Sequence, residues 1–492
     1  MLTGYCALRE ELELQTPPPH VQSQIIGSVR RTEILADRTI ETYGKKAAPQ
    51  PGLRSHLLFA LKHEPTDLGV LAAALKKLGP AFVREWVLAE PTGAYSRKAW
   101  FFYEYLTGDT LDLPNAATGV YAEAIDPDRH IVGARKTSSR HRIYDNLLGA
   151  PGFSPTIRRT QKLVDLMSSR LQAKAEDLTR GADPALLRRA VAYLYTKETK
   201  STFEIEGETA SPQREERFVA ALTRAAVFKT SDKASLIELQ NIIVDPRFAA
   251  SDWRDIQNYV GETTSGYRQR IHLICPKPED VAPLMSSWAK CAERLLADEI
   301  DPVVAAAIIA FGFVFIHPFE DGNGRVHRFL VHNVLSKTGF SPNNMIFPVS
   351  AAIVRDMAQY DAALEAFSRP LLGLIDHRLT EEDKLLVSGE TADYYSYFDA
   401  THLAEYLYGR VADTVQHDLA EELEFLDRFD RAYQAARRIV DMPNNRLSLF
   451  IRLVMANGGR LSRNKREHFA EISDKEVAEM EEAIRVSSRA DA

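Results

Sequence analysis

Only three cysteines occur in 492 residues, Cys6, Cys275 and Cys291, and none forms a C-x-x-C pair. This excludes a disulfide framework and a cysteine-built zinc site, and it predicts a reducing, cytoplasmic setting. Long apolar runs are missing too. The most apolar stretch, residues 303–316 (VVAAAIIAFGFVFI), falls short of the roughly 20 residues a helix needs to cross a bilayer. It is expected to be a buried core helix, and no membrane partner is expected. The N-terminus, MLTGYCALREELELQTPPPH, lacks a basic stretch followed by an apolar one, so no signal peptide is expected. Charge of one sign is not in large excess: the net charge of −7 speaks against a protein built to coat nucleic acid. Repeats and low-complexity tracts are absent. What is present is globular, with 45% hydrophobic and 26% charged residues. A chain this long buries a large core without covalent staples.

The punctuation of the chain predicts five regions. Residues 1–50, bounded by QTPPPH and KKAAPQPG, read as a polar arm and linker. Residues 51–155 read as a mostly helical N-terminal domain that ends in Gly, Pro, Asp and Asn-rich loops, including the basic stretch GARKTSSRHR. Residues 156–210 read as a helical segment. Its last helix starts at Asp183-Pro184, an N-cap followed by proline at the first helical position, and stops at Gly207. Residues 211–375 hold the richest motif. Residues 376–492 read as a C-terminal helical region with a winged-helix-like pattern and a Ser473–Glu476 capping box. The expected fold class is all-α, with one small β-hairpin near 263–275, where polar and apolar residues alternate over 269–274 after a glycine turn.

The motif is FIHPFEDGNGRVHRFLVHNVLSKTG, residues 315–339. The apolar helix that starts at Asp301-Pro302 must stop near Pro318. A tight Glu-Asp-Gly-Asn-Gly loop follows, and a second helix opens near Arg325 and ends at Gly339. Two glycines around Asn323 let successive N–H groups line one concavity, and the helix N-terminus adds its positive dipole end. Arg325 and Arg328 are three apart and can share a face beside this nest, where guanidinium forks suit phosphate oxygens. Asp321 is a hard oxygen ligand suited to Mg²⁺ next to phosphates. His317 stands at the mouth and can take a proton near neutral pH. A cradle, a metal ligand and a base within twelve residues imply phosphoryl or nucleotidyl transfer. His327 and His332 read as helix-surface or packing residues.

HPFEDGNGRVHR, residues 317–328, resembles the signature H-x-F-x-[D/E]-G-N-G-R-x-x-R of the Fic family at every defined position. The likeness extends to the Arg-x-x-Gln segment in WRDIQNYVG (253–261) and to MIFPVSAAI (345–353), and it is good from about 185 to 370. The resemblance implies a protein adenylyltransferase that moves AMP from ATP to a hydroxyl of a protein target. His317 would deprotonate the hydroxyl, and Asp321 would hold Mg²⁺. Gly322, Asn323 and Gly324 would cradle phosphate oxygens. Arg325 would steady the β-phosphate and Arg328 would bind the γ-phosphate. Phe319 would fix the loop from the core. The hairpin, with Gly266, Tyr267 and Ile271, would be the flap that docks the target. The chain departs from common members at Ala310, Val314 and the single Tyr360, so no base-contacting residue is assigned.

STFEIEG, residues 201–207, resembles the family's inhibitory motif [S/T]-x-x-x-E-[G/N], with Thr202, Glu206 and Gly207 in place. The implied brake is electrostatic: Glu206 pairs with Arg328 where the γ-phosphate belongs. The same glutamate would also allow removal of AMP from a target. The C-terminal region is expected to contact a target or a second copy in a homodimer rather than DNA, because its last helix is acidic. Two competing functions remain: Fic-fold transfer of another phosphate-linked group, and a DNA-binding regulator with a vestigial Fic core.

Overall fold

The computed structural model describes residues 1–27, 29–35, 37–180, 183–263, 269–342, 345–380, 382 and 384–487. The chain opens with a short helix, α1 (Tyr5–Glu11), and strands β1 (Val21–Ile25), β2 (Arg31–Ile34) and β3 (Thr39–Tyr43). The strands form one sheet in the order β1-β3-β2, parallel between β1 and β3 and antiparallel between β2 and β3. The expectation of a polar arm and linker over 1–50 is therefore corrected. Tyr5 and Leu8 of α1 are buried in the same core as α2 (Leu53–His63), α3 (Leu68–Ala89) and α4 (Ala94–Thr107). Local composition could not report this, since the apolar partners of α1 are supplied by later helices. Gly79 (φ 75°) and Pro80 kink α3. A second small sheet follows, β4 (Ala122–Glu123), β5 (Lys136–Ser138) and β6 (Ile143–Asp145), in the order β4-β6-β5.

The main core is built by α5 (Gln161–Ser168), α6 (Leu171–Thr179), α7 (Pro184–Ile205), α8 (Pro212–Thr223), α9 (Lys233–Ile243), the hairpin β7 (Tyr259–Thr263) and β8 (Gln269–Ile274), then α10 (Pro278–Ala297), α11 (Pro302–Ile316), α12 (Asn323–Lys337), α13 (Val349–Val354) and α14 (Met357–Leu372). Helix α7 starts as expected, with the Asp183 carboxylate accepting from the N–H groups of Ala185 and Leu186. Helix α11 starts the same way on Asp301. Every residue from Val303 to Ile316 is buried, because α10, α12 and a later helix over Thr401–Asp413 pack around α11. Its apolar character on all sides is thus the mark of a central helix.

A hairpin, β9 (His377–Leu379) and β10 (Leu385–Val387), interrupts the helices after 375. Helices α15 (Ala392–Ser396) and α16 (Thr401–Asp413) return to the main core. The chain is all-α in class, but among the described residues there are four small sheets where one hairpin was expected. A π-helical segment, Thr414–Leu419, leads into α17 (Ala420–Arg437), α18 (Asn444–Ala456) and α19 (Asp474–Ser487). These three share a core of their own. Among the described residues they contain no strand, so there is no wing, and the winged-helix-like expectation is corrected. The Ser473–Glu476 capping box is present, with Ser473 N donating to Glu476 Oε2 at 2.7 Å. The unit grips α7 through Arg189–Asp430 and Lys197–Asp418, both at 2.5 Å.

Packing around α11 is tight at Gly312. A Cβ there would lie 2.5 Å from Phe153 Cζ and 3.2 Å from Trp288 Cδ1. Both rings are buried, and Trp288 is pinned by its N–H bond to the Ile309 carbonyl. Gly312→Val should lower stability by about 2–3 kcal/mol through overpacking. A urea midpoint unchanged from the parent would show that Phe153 can move aside freely.

Candidate active site

The loop between α11 and α12 is shaped by two left-handed residues. His317 closes α11 with φ 52°, and Gly322 opens α12 with φ 88°. Left-handed histidine is costly and is held by its surroundings. Its N–H bonds to the Phe313 carbonyl, and its own carbonyl accepts from Arg254 Nε at 2.7 Å. The ring Nδ1 lies 3.1 Å from the Val314 carbonyl. A carbonyl can only accept, so Nδ1 carries the hydrogen and Nε2 is left as a free base. Burial of the ring pushes its pKa down to about 4. The neighbouring Arg254 also lowers it, while the Val314 bond, Glu206 and Asp321 act the other way. At neutral pH His317 is an uncharged proton acceptor.

Phe319 is buried, its ring 5.2 Å from Trp253 and 6.2 Å from Phe313. Asn323 is tied to it: the Asn323 amide donates to the Phe319 carbonyl at 2.8 Å and accepts from the Phe319 N–H at 3.0 Å. Its side chain therefore locks the loop, and its share in a cradle falls to its main-chain N–H. No side chain caps the start of α12, so the first-turn N–H groups from Asn323, Gly324 and Arg325 line an anion site with the helix dipole behind them.

Arg325 and Arg328 are each only 1% exposed at the side chain. Arg325 donates to Asp321 Oδ1 at 2.9 Å and to Glu208 Oε2 at 3.0 Å. Asp321 Oδ1 also accepts from the Gly322 N–H at 2.6 Å. The Asp321 side chain is 43% exposed. One carboxylate beside a phosphate cradle fits Mg²⁺, which takes one or two protein oxygens and completes its shell with phosphates and water.

Helix α7 runs antiparallel along α12, and the pairs fall at intervals of four. His332 Nε2 is 2.8 Å from Glu198 Oε1 in the interior. Four residues on, Arg328 donates to Thr202 Oγ1 at 2.6 Å and to the Thr202 carbonyl at 2.9 Å. Four residues further, Glu206 reaches Arg328 Nη2 at 2.6 Å and the N-terminus of α12, where a Cβ on Gly324 would collide with Glu206 Oε1. Thr202 and Glu206 thus share one arginine, and the Glu206 carboxylate sits over the cradle. Burial pushes the Glu206 carboxyl up, but Arg328, with Arg325 and His317, overcomes this and holds it below the ordinary value. Gly207 takes φ 68°, and the N–H groups of Gly207 and Glu208 bond back to the carbonyls of Glu204 and Phe203. This is a Schellman turn with glycine at its left-handed position.

Of the three flap residues, Gly266 and Tyr267 lie outside the described residues. Ile271 is half-buried against the main core, because alternation along β8 turns Ile271 and Leu273 inward. His272 ties β8 to Glu365 of α14 at 3.2 Å. The other strand, β7, is exposed from Val260 to Thr263 and presents its outer edge to solvent.

Three supports of the site escaped sequence reasoning. Arg254 had been noted only as part of a segment, yet its guanidinium bonds the carbonyls of His317, Ile256 and Pro276, each at 2.7 Å. Gln240 of α9 donates to the Asp321 carbonyl at 3.1 Å. Glu208 pairs with Arg325. None carries a local signal, since each acts on backbone or side chains far away in sequence.

The fold and site define a helical protein with an anion cradle between two central helices and an imidazole base at its mouth. The Fic/DOC family model matches residues 230–335, from just before α9 to near the end of α12. The protein adenylyltransferase Fic of Drosophila ananassae is 26% identical over 221 residues, covering 39% of this chain and 44% of that protein. Its namesake in Aedes aegypti is 28% identical over 244 residues, covering 41% and 46%. The match spans less than half the length of these curated relatives. A crystal structure of a Fic family protein from Desulfovibrio desulfuricans G20 aligns with 64% of this chain and 90% of its own, at 18% identity and a TM-score of 0.40.

Arg254→Met would remove the donor to the carbonyls of His317, Ile256 and Pro276, of which only that of Pro276 belongs to a buried residue. With a buried unpaired carbonyl costing about 1–3 kcal/mol, a stability loss of about 2 kcal/mol is expected in denaturant titrations. Arg254→Lys should recover only part of it, because one ammonium cannot span the three acceptors. Full recovery by lysine would mean that charge, and not the fork, matters there.

Proposed function

We propose that this protein is an adenylyltransferase that moves AMP from ATP to a hydroxyl side chain of a protein target, and that Glu206 holds it in check. The observation that carries the reading is the meeting of three groups at one helix N-terminus: the free Nε2 of His317, the uncapped first turn of α12, and Arg328 engaged by Glu206. The relatives whose name is protein adenylyltransferase support the same reaction class.

In this mechanism His317 Nε2 takes the proton of the target hydroxyl as its oxygen attacks the α-phosphorus, and the bond to the leaving pyrophosphate breaks. The N–H groups of the cradle and the two arginines hold the phosphate oxygens in line. Asp321 would hold Mg²⁺, whose chemistry is to screen the phosphate charge. The exposed edge of β7 would take the target's backbone by strand addition. With Glu206 on Arg328 the γ-phosphate has no seat, so ATP binds with its phosphates displaced. The same carboxylate is the group that would hold a water for removal of AMP. Among the described residues no helix is long and apolar enough to cross a membrane.

Glu206→Gly should therefore raise labelling of the protein itself or of lysate proteins by labelled ATP. About tenfold or more is expected, since each 1.4 kcal/mol is a factor of ten. Glu204→Gly, at an exposed position on the same helix, is the control and should change little. Equal labelling by the parent and Glu206→Gly across ATP concentrations would sink the brake.

The pH profile tests the base. A pKa lowered to about 4 favours the neutral ring, so kcat/KM of the Glu206→Gly variant should stay flat from pH 8 down to about 5. It should fall only as the pH approaches about 4. The bound triphosphate adds negative charge beside the ring and raises its pKa, so the acid limb of kcat should lie at higher pH than that of kcat/KM. His317→Ala should remove about 10²–10⁴-fold of activity with little change in ATP affinity. An acid limb of kcat/KM centred near 6.5 would contradict the buried, neutral base.

A further inference from the structure

The brake just described accounts for one of the two cradle arginines. Arg325 is as deeply buried as Arg328, and both of its terminal nitrogens face carboxylates, Nη1 on Glu208 at 3.0 Å and Nη2 on Asp321 at 2.9 Å. Glu208 is the second residue after Glu206, in the same turn. The Schellman bonds to Phe203 and Glu204, with Gly207 in its left-handed conformation between the two glutamates, fix where both carboxylates stand. Arg214 of α8 donates to Glu208 Oε2 at 3.0 Å and to the Ile243 carbonyl at 2.8 Å, which anchors the glutamate to the body of the domain. The ring of Phe203 packs against both guanidiniums, 5.0 Å from that of Arg214 and 5.6 Å from that of Arg325. The last turn of α7 is thus stapled to both cradle arginines, Glu206 to Arg328 and Glu208 to Arg325.

We propose that Glu208 is a second inhibitory carboxylate, which neutralises Arg325 and withholds it from the nucleotide's phosphates. This rests on the reading of the cradle as an ATP site. The physical case is one of competition. A buried guanidinium needs an anion, and with Asp321 required elsewhere when nucleotide binds, Glu208 is the anion that a phosphate must displace. Its carboxylate is 36% exposed and is also held by Arg214, so it can turn from Arg325 toward Arg214 and water, while Arg325 stays buried and takes the phosphate in exchange. Loosening the turn after α7 would then release both arginines together, because the two glutamates are held by one set of main-chain bonds.

The test compares the parent, Glu206→Gly, Glu208→Gln and the double variant, as full-length protein. It measures calorimetric affinity for Mg-ATP and for adenosine, together with the rate of labelling by labelled ATP. Glutamine keeps the shape of Glu208 and removes its charge. The double variant should bind ATP several-fold tighter and label several-fold faster than Glu206→Gly. Adenosine, which has no phosphates, should bind all four proteins alike. The single Glu208→Gln variant should melt a few degrees below the parent without ligand, and ATP should raise its melting temperature by more than it raises that of the parent. If the double variant binds ATP more weakly or labels more slowly than Glu206→Gly, Glu208 orients Arg325 for catalysis and the proposal fails. Equal affinity and rate would also overturn it. A Glu206→Gly variant no faster than the parent would strike at the first brake alone, because Glu208→Gln is judged separately by its ATP affinity against the parent.

Discussion

A guanidinium that is 1% exposed must have an anion beside it, and in this protein Arg328 is met by Glu206. That requirement shapes the whole region. Leaving such a charge unpaired in the interior is far costlier than any surface ion pair is worth, so α7 must lie where its carboxylate can reach, and Thr202 fills the remaining donor directions. Under the proposed function, the resting state and the working state of the site compete for this one cation. A nucleotide phosphate and the Glu206 carboxylate are chemically alike from the arginine's point of view, and the helix N-terminus favours either.

The scaffold around this pair places the other groups with little freedom. Asn323 and Phe319 clamp the loop from inside, and Arg254 ties His317 and its neighbours to the strand side. Gln240 holds the Asp321 backbone from α9. His317 can occupy its left-handed conformation because these contacts over-determine the turn, and that conformation is what sets Nδ1 on the Val314 carbonyl and leaves Nε2 free. The flap stands apart: β8 is bound to α14, while β7 keeps an open edge.

Helix α7 is also the seat of the C-terminal unit. Leu186 and Ala190 of α7 pack on Leu426, and Arg189 and Lys197 reach Asp430 and Asp418. Asp418 accepts from Arg355 as well, at the end of α13. The outer face of α7 is therefore held by one folded unit and its inner face by the cradle. Its position depends on both, and the C-terminal unit has the form of three packed helices rather than a winged helix.

Much of the site was legible in the residues alone. Residues 317–328 place a base, a carboxylate, two glycines and two arginines at spacings that only a loop opening a helix can use. Asp183-Pro184 and Gly207 mark both ends of α7, because caps and left-handed stops are local chemistry. Composition likewise settled that 303–316 is a core helix, since only a helix covered on all sides stays apolar all round. What local pattern could not carry was the use of each group. The burial of α1, the turning of Ile271 toward the core and the pairing of Arg325 with Glu208 each depend on partners far away along the chain. Their free energies come from burial and charge in three dimensions, where spacing in sequence has no bearing, and so the tertiary structure alone decided them.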